Sequence, residues 1–138
     1  MPAITRLSLA RDWLAKAIED LQLAKAAGAL KPPLYAGGLF HCQQTGEKAL
    51  KGLLFLRGTD FEKTHDLREL LVLCRKLDSA FDALRKDAEL LTPFALKYRY
   101  PTDLTEPNEQ EFQAALAAAE RVCRFVLSRQ PELAPPTG

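Results

Sequence analysis

Apolar residues recur along this chain at every third or fourth position, and the alternation of β-branched residues that marks strands is missing. The pattern predicts an all-α protein, an up-and-down bundle of four to five helices. A first helix is expected from near Ser8 to Ala27, because Leu7, Leu14, Ile18 and Leu21 share a narrow arc; Gly28 and Pro32-Pro33 end it. A second is expected from about Leu34 to Leu56, stopped by Gly58, with Gly37-Gly38 weakening its first turn enough to draw the start toward Leu39. Asp66, followed three residues later by Glu69, resembles a capping box and opens a third helix whose stripe is Leu67, Leu70, Leu71, Cys74 and Leu77. Asp78-Ser79 caps a fourth through Phe81, Leu84, Ala88 and Leu91, and Thr92-Pro93 restarts or kinks the segment that carries Phe94 to Tyr98. Pro101 halts helical structure and leaves a loop over residues 99–103. The last helix is expected from near Pro107 to Arg129, burying Phe112, Leu116, Ala119, Cys123 and Val126.

Composition narrows this to one domain. With 138 residues, 47% of them hydrophobic, the chain has enough apolar surface for one core and too little length for two. Residues 1–130 are expected to form that domain, and residues 131–138, rich in proline, a mobile tail. A formal charge of +1 argues against holding nucleic acid by bulk electrostatics, so any anion site must be local. Three widely spaced cysteines with no Cys-x-x-Cys pair point to reduced, buried thiols in a cytoplasm rather than to disulfides or zinc. The N-terminus lacks an apolar run of signal-peptide length, and no segment approaches the roughly 20 apolar residues of a membrane span. A soluble, cytoplasmic protein is therefore expected.

The candidate chemistry gathers on the second helix. At about 100° per residue from His41, Gln44 falls near −60°, Lys48 near −20° and Lys51 near −80°, so an imidazole, an amide and two ammonium groups share roughly a quarter of the circumference. Leu39, Leu50, Leu53, Leu54 and Leu56 take the far side. Such a face suits phosphate, or it is a solvated surface in which Glu47, at i+4 from Lys51, neutralises half the site. His65 stands at the start of the third helix, where backbone N–H groups favour anions, or it merely fixes the loop while Thr64 or Asp66 caps the helix. Arg99 offers a fork for phosphate or a partner for a helix C-terminus or carboxylate. Tyr98 and Tyr100 flank it, and each could stack on a base or lie half-buried with its hydroxyl at the rim. Two histidines without cysteine or carboxylate at ligand spacing do not assemble a zinc site, and no cofactor motif is present: there is no Gly-x-Gly-x-x-Gly, Walker loop or Gly-x-Ser-x-Gly elbow.

The order Phe40-His41-Cys42-Gln43-Gln44-Thr45-Gly46-Glu47-Lys48-Ala49-Leu50-Lys51-Gly52-Leu53-Leu54, then Thr64-His65-Asp66-Leu67, then Arg99-Tyr100-Pro101, resembles the bacterial HEPN domain family from about Trp13 to Val126. The resemblance implies a helical bundle that often dimerises, is encoded beside a minimal nucleotidyltransferase in a toxin-antitoxin-like arrangement, and binds nucleotides or acts as an RNase toxin. It also implies that His41, Gln44, Lys48, Lys51, His65, Arg99 and Tyr100 form a nucleotide- or phosphate-binding set. RNase members carry an arginine, four to six intervening residues and a histidine. This chain has only His41 and His65; no histidine follows Arg99, no arginine lies at that spacing before His41, and Arg57 is seven intervening residues from His65. The expectation is a non-catalytic HEPN homodimer that binds a nucleotide or RNA phosphate. The alternatives are a ribonuclease with a non-standard site, Arg99 meeting His65 across the fold, and a structural adaptor docking a partner protein through Phe55, which shares the polar face.

Overall fold

A computed structural model describes residues 5–136. Five α-helices, α1 (Arg6–Ala29), α2 (Tyr35–Leu56), α3 (Leu67–Leu77), α4 (Arg85–Leu91) and α5 (Glu109–Arg129), are supplemented by 3₁₀ turns at Ser79–Leu84, Thr92–Ala95 and Pro131–Leu133, with no strand among the described residues. The all-α bundle read from the periodicity is what the chain forms.

Helix α2 is the centre and touches each of the other four. It runs antiparallel to α1 across the short connection at residues 30–34, so that Gly52 meets Leu14 and Gly38 meets Ala24. The buried line of α1 is Ala10, Leu14, Ala17 and Ala24, with Ile18 and Leu21 only partly covered. The predicted Leu7-Leu14-Ile18-Leu21 stripe is thus rotated: small residues hold the closest line of approach and the large ones flank it. On α2, Gly38 brings the backbone so near Phe112 of α5 that an added Cβ would stand 2.5 Å from the ring, and Gly28 of α1 does the same from another side at 2.4 Å. The glycines that weaken the helix locally are therefore the sockets for a buried aromatic, and α2 begins at Tyr35 rather than near Leu39.

Helix starts follow the side chains able to accept from free backbone donors. Thr5 caps α1 in a reciprocal box with Ser8, which places the start ahead of the expected Ser8. Asp66 caps α3 by accepting from the Arg68 N–H at 2.9 Å, and Asn108 caps α5 by accepting from Glu111 at 2.8 Å. Phe81, Leu84, Ala88 and Leu91 are all buried as expected, although the first two sit in a 3₁₀ turn. In α5 the predicted Leu116 is only partly buried, and Ala115, Ala118 and Val122 join the buried face instead. The segment after Thr92-Pro93 is a 3₁₀ turn that leads to Tyr98, a non-glycine residue at φ 68°.

Within the segment expected as a mobile tail, Leu133 is fully buried and the Glu132 carbonyl accepts from Arg11 Nε at 2.8 Å. One apolar residue in a proline-rich stretch is enough to seat the turn Pro131–Leu133 against α1 and α5. Thr137 and Gly138 of that tail, and residues 1–4 of the N-terminus, lie outside the described residues. All three cysteines are unpaired and buried. Burial pushes the Cys42 and Cys74 thiols up to about 12. No described helix is long and apolar enough to cross a membrane.

Candidate functional site

The polar face of α2 divides into two closed clusters. In the first, Asp20 of α1, 5% exposed, accepts from His41 Nδ1 at 2.8 Å and from Lys48 Nζ at 2.6 Å. A carboxylate can only accept, so the imidazole carries its proton on Nδ1 and leaves Nε2 as its free nitrogen. In the second, Glu47, 4% exposed, accepts from His65 Nδ1 at 2.8 Å, Lys51 Nζ at 3.0 Å and Gln43 Nε2 at 3.1 Å. Gln43 also donates to the His65 carbonyl at 2.8 Å, and its own oxygen accepts from Gln44 at 2.8 Å. No buried side-chain nitrogen or oxygen among the described residues is left without a partner.

Glu47 governs this second cluster. Burial pushes its carboxyl up, but the donors from His65, Gln43 and Lys51 together outweigh burial and hold it below the ordinary range. The anticipated Glu47–Lys51 pair is present at i+4, and Lys51 is largely buried in it, with its ammonium 5.8 Å from the centre of the Phe61 ring. Each lysine of the face thus has a carboxylate of its own, so neither Lys48 nor Lys51 is a bare cation.

His65 is held on one nitrogen and open on the other, its side chain 70% exposed. The start of α3 beside it is already occupied: Asp66 takes the Arg68 N–H, Thr92 Oγ1 takes the Leu67 N–H at 3.2 Å, and Thr64 Oγ1 takes the Asp66 N–H at 3.0 Å. Paired hydrogen bonds from the Arg68 side chain keep the Asp66 carboxyl low. What His65 presents is therefore its side chain, oriented by Glu47, and not a ring of free backbone donors.

Arg99 reaches the same face from the far loop. Its guanidinium lies 4.2 Å from the centre of the Phe40 ring and gives one N–H to the Ala95 carbonyl at 3.2 Å. Arg99 forms no ion pair among the described residues, and Phe40 meets His41 edge-on at 5.5 Å. Phe40, Gln44, Glu47 and Lys51 fall within about 60° on α2, and Phe40 to Glu47 is a rise of about 10 Å, so Arg99 and His65 flank Gln44 on one stripe. The left-handed turn at Tyr98, braced by its hydroxyl donating to Glu111 at 2.8 Å and by its stack on Phe94, sends Arg99 back over α2. Tyr100 follows, 56% exposed.

Three residues essential to this arrangement are absent from the predicted set. Asp20 is in phase with Ala17 and Ala24, a carboxylate on a buried arc, which is the signal that marks it. Gln43 lies beside Glu47 on the buried side of α2, and Phe40 gave no signal beyond its place in the motif. Asp87 is 8% exposed and takes three short contacts from Arg121 of α5, the nearest at 2.8 Å. Phe55 is half-buried beneath the Arg6 guanidinium and walls a shallow groove of about 350 Å³ with Leu9, Trp13 and Lys48. No group of three or more His, Cys, Asp or Glu side chains suited to a metal occurs among the described residues.

Comparison with known proteins fits this geometry. Among solved structures, the chain is similar to TT1696 from Thermus thermophilus, at 31% identity and a TM-score of 0.76 over 87% of this chain and 97% of that one. The fold of ST0689, an archaeal HEPN homologue, is shared at 24% identity and a TM-score of 0.67 over 87% of this chain and 96% of that one. No curated protein matches. The family model for the HEPN domain matches residues 10–130, nearly the whole described bundle, and the chain belongs to the HEPN domain family.

Proposed function

We propose that this domain binds the phosphate of a nucleotide or RNA on the α2 face, with Arg99 as the cation and His41, Gln44 and His65 as hydrogen-bonding neighbours, without turning it over. The observation that carries the reading is the Arg99 guanidinium: stacked on Phe40, free of any carboxylate among the described residues, and beside imidazoles whose orientation Asp20 and Glu47 fix. Lys48 and Lys51 support the face as structural ion pairs, and a cation free of carboxylates among the described residues accounts for how a chain of charge +1 can hold a phosphate locally. The test is titration of ATP, GTP and a short single-stranded RNA at low salt. Arg99→Ala should weaken binding by about 1.5–3 kcal/mol, the worth of a charged hydrogen bond. Absence of affinity for all three ligands would end the reading.

The domain is further read as a homodimer acting beside a minimal nucleotidyltransferase in a toxin-antitoxin-like pair in the cytoplasm, with the Leu9-Trp13-Phe55 groove as the contact. Light scattering on Phe55→Asp checks this: a dimer unaffected by the change removes the groove from the interface. One observation favours a second reading, a ribonuclease with a non-standard site. His65 is held at Nδ1 by a buried carboxylate, the arrangement that makes an imidazole a general base at Nε2. It requires RNA cleavage by pure protein that disappears in His65→Ala.

A further inference from the structure

All three tyrosines of the chain line one cavity, between the start of α2 and the loop that follows Tyr98. Its volume is about 620 Å³, within the roughly 300–1,000 Å³ of small-ligand pockets. Tyr35 is fixed by its contact with the Phe112 ring at 5.2 Å, and Tyr98 by its hydroxyl on Glu111. Tyr100 stands open at the rim. Two positioned aromatic rings and a free one suit a flat heteroaromatic guest, because every base has a π-face to stack.

The charges around the cavity are segregated. Among the described residues Asp103 and Glu106 line it and no lysine or arginine does; Asp103 spends one oxygen on the Tyr100 N–H at 3.2 Å, and Glu106 has no partner among those residues. Carboxylates accept, so they select a ring that presents N–H donors and repel a phosphate. Arg99 lies between Tyr98 and Tyr100 in the chain and stacks on Phe40, about one helical turn beyond the Gly37 that lines the cavity. A guest with a donor-rich ring at one end and an anion at the other matches both halves.

We infer that this cavity is a base pocket for guanine, stacked on Tyr35 and Tyr100, its N1–H and 2-amino group donating to Asp103 and Glu106 while the attached phosphate reaches Arg99. Of the four RNA bases, guanine alone presents two adjacent N–H donors on its pairing edge; adenine, cytosine and uracil present one each beside acceptors that face a carboxylate badly. The inference rests on the phosphate reading above for its anionic end and is independent of it for the ring.

The experiment titrates full-length protein with GMP, IMP, AMP, guanosine, and short single-stranded RNAs with and without one guanine. Two parallel hydrogen bonds to the base give a GMP preference over AMP of about 10-fold or more, and IMP, lacking the 2-amino group, falls between. Asp103→Asn, which keeps an oxygen for the Tyr100 N–H, and Glu106→Gln should each collapse the preference of GMP over AMP. Tyr100→Ala should weaken every ligand by about 10-fold through lost stacking. Equal binding of GMP and AMP, or a preference that survives both carboxylate changes, overturns the base pocket and leaves the phosphate reading standing. Guanosine bound as tightly as GMP supports the pocket and removes the phosphate reading. Absence of binding by every ligand overturns both. A guanine-containing RNA bound more tightly than GMP supports the pocket with RNA as the source of the base, and equal affinity supports it with the free nucleotide.

Discussion

Replacing Glu47 with alanine should cost about 3 kcal/mol of stability, and the structure says where that comes from. Of its three donors, His65 is largely exposed and turns to water, while Gln43 keeps the His65 carbonyl as an acceptor. Lys51 has no such recourse: its side chain is 9% exposed, so removing the carboxylate leaves a buried cation alone, a loss of about 3–5 kcal/mol. The cation–π contact of Lys51 with the Phe61 ring is already made beside Glu47, so it leaves this loss at the lower end of that range at best. For 138 residues that net loss lowers Tm by about 10 °C. Urea unfolding followed by far-UV circular dichroism measures it, with Lys51→Met and the double variant Glu47→Ala/Lys51→Met completing a cycle. Removing both charges should cost less than removing Glu47 alone, with a coupling of about 2 kcal/mol. If Glu47→Ala costs under about 1 kcal/mol, or the single losses simply add, the cluster is hydrated and the reasoning fails. The pH dependence gives an independent check. Because the folded carboxyl lies below its unfolded value, Glu47 contributes fully above the ordinary carboxylate range and its contribution is lost as pH falls through the folded value. Glu47→Gln should therefore flatten the acid limb of the stability profile; an unchanged slope contradicts the assigned direction.

Truncation after Gln130 removes buried Leu133 and should destabilise by about 2–5 kcal/mol, where a mobile tail predicts no change in urea midpoint. Gly38→Ala should lower Tm, since its Cβ meets Phe112 at 2.5 Å and Gly28 blocks retreat, at about 1–3 kcal/mol; Gly37→Ala, with nothing within 4 Å, should raise stability by about 0.5–1 kcal/mol, and equal effects would refute the packing argument. Native protein at pH 8 should leave Cys42 and Cys74 unreacted with a thiol reagent, because burial holds their thiols at about 12, and both should react on unfolding; fast native labelling would show these sites open.

Much of the fold was legible because it depends on local rules. The buried arcs of α3 and α4, the caps at Asp66 and Asp78, and the end of α2 before Gly58 follow from spacing and from side chains that satisfy free backbone groups. Differences arose where a partner helix decided the matter. The wheel of α1 has two nearly equivalent apolar arcs, and only contact with the glycines of α2 selects the one with small residues. The fourth helical segment starts in 3₁₀ geometry where Asp78 alone separates it from α3, and the chain after α4 tightens into a 3₁₀ turn at Thr92-Pro93.

The candidate site divides along the same line. Sequence alone placed His41, Gln44, Lys48 and Lys51 on one face of one helix, because their spacing is a property of that helix, and it named the Glu47–Lys51 pair at i+4. Only the tertiary structure decided what those charges do. Asp20 comes from α1, His65 from the loop before α3 and Arg99 from the turn before α5, so which carboxylate neutralises which lysine, and which cation stays free, depends on how helices distant in sequence pack. Helical periodicity is local, whereas charge compensation in a buried cluster is set by whichever groups the fold brings within about 3 Å.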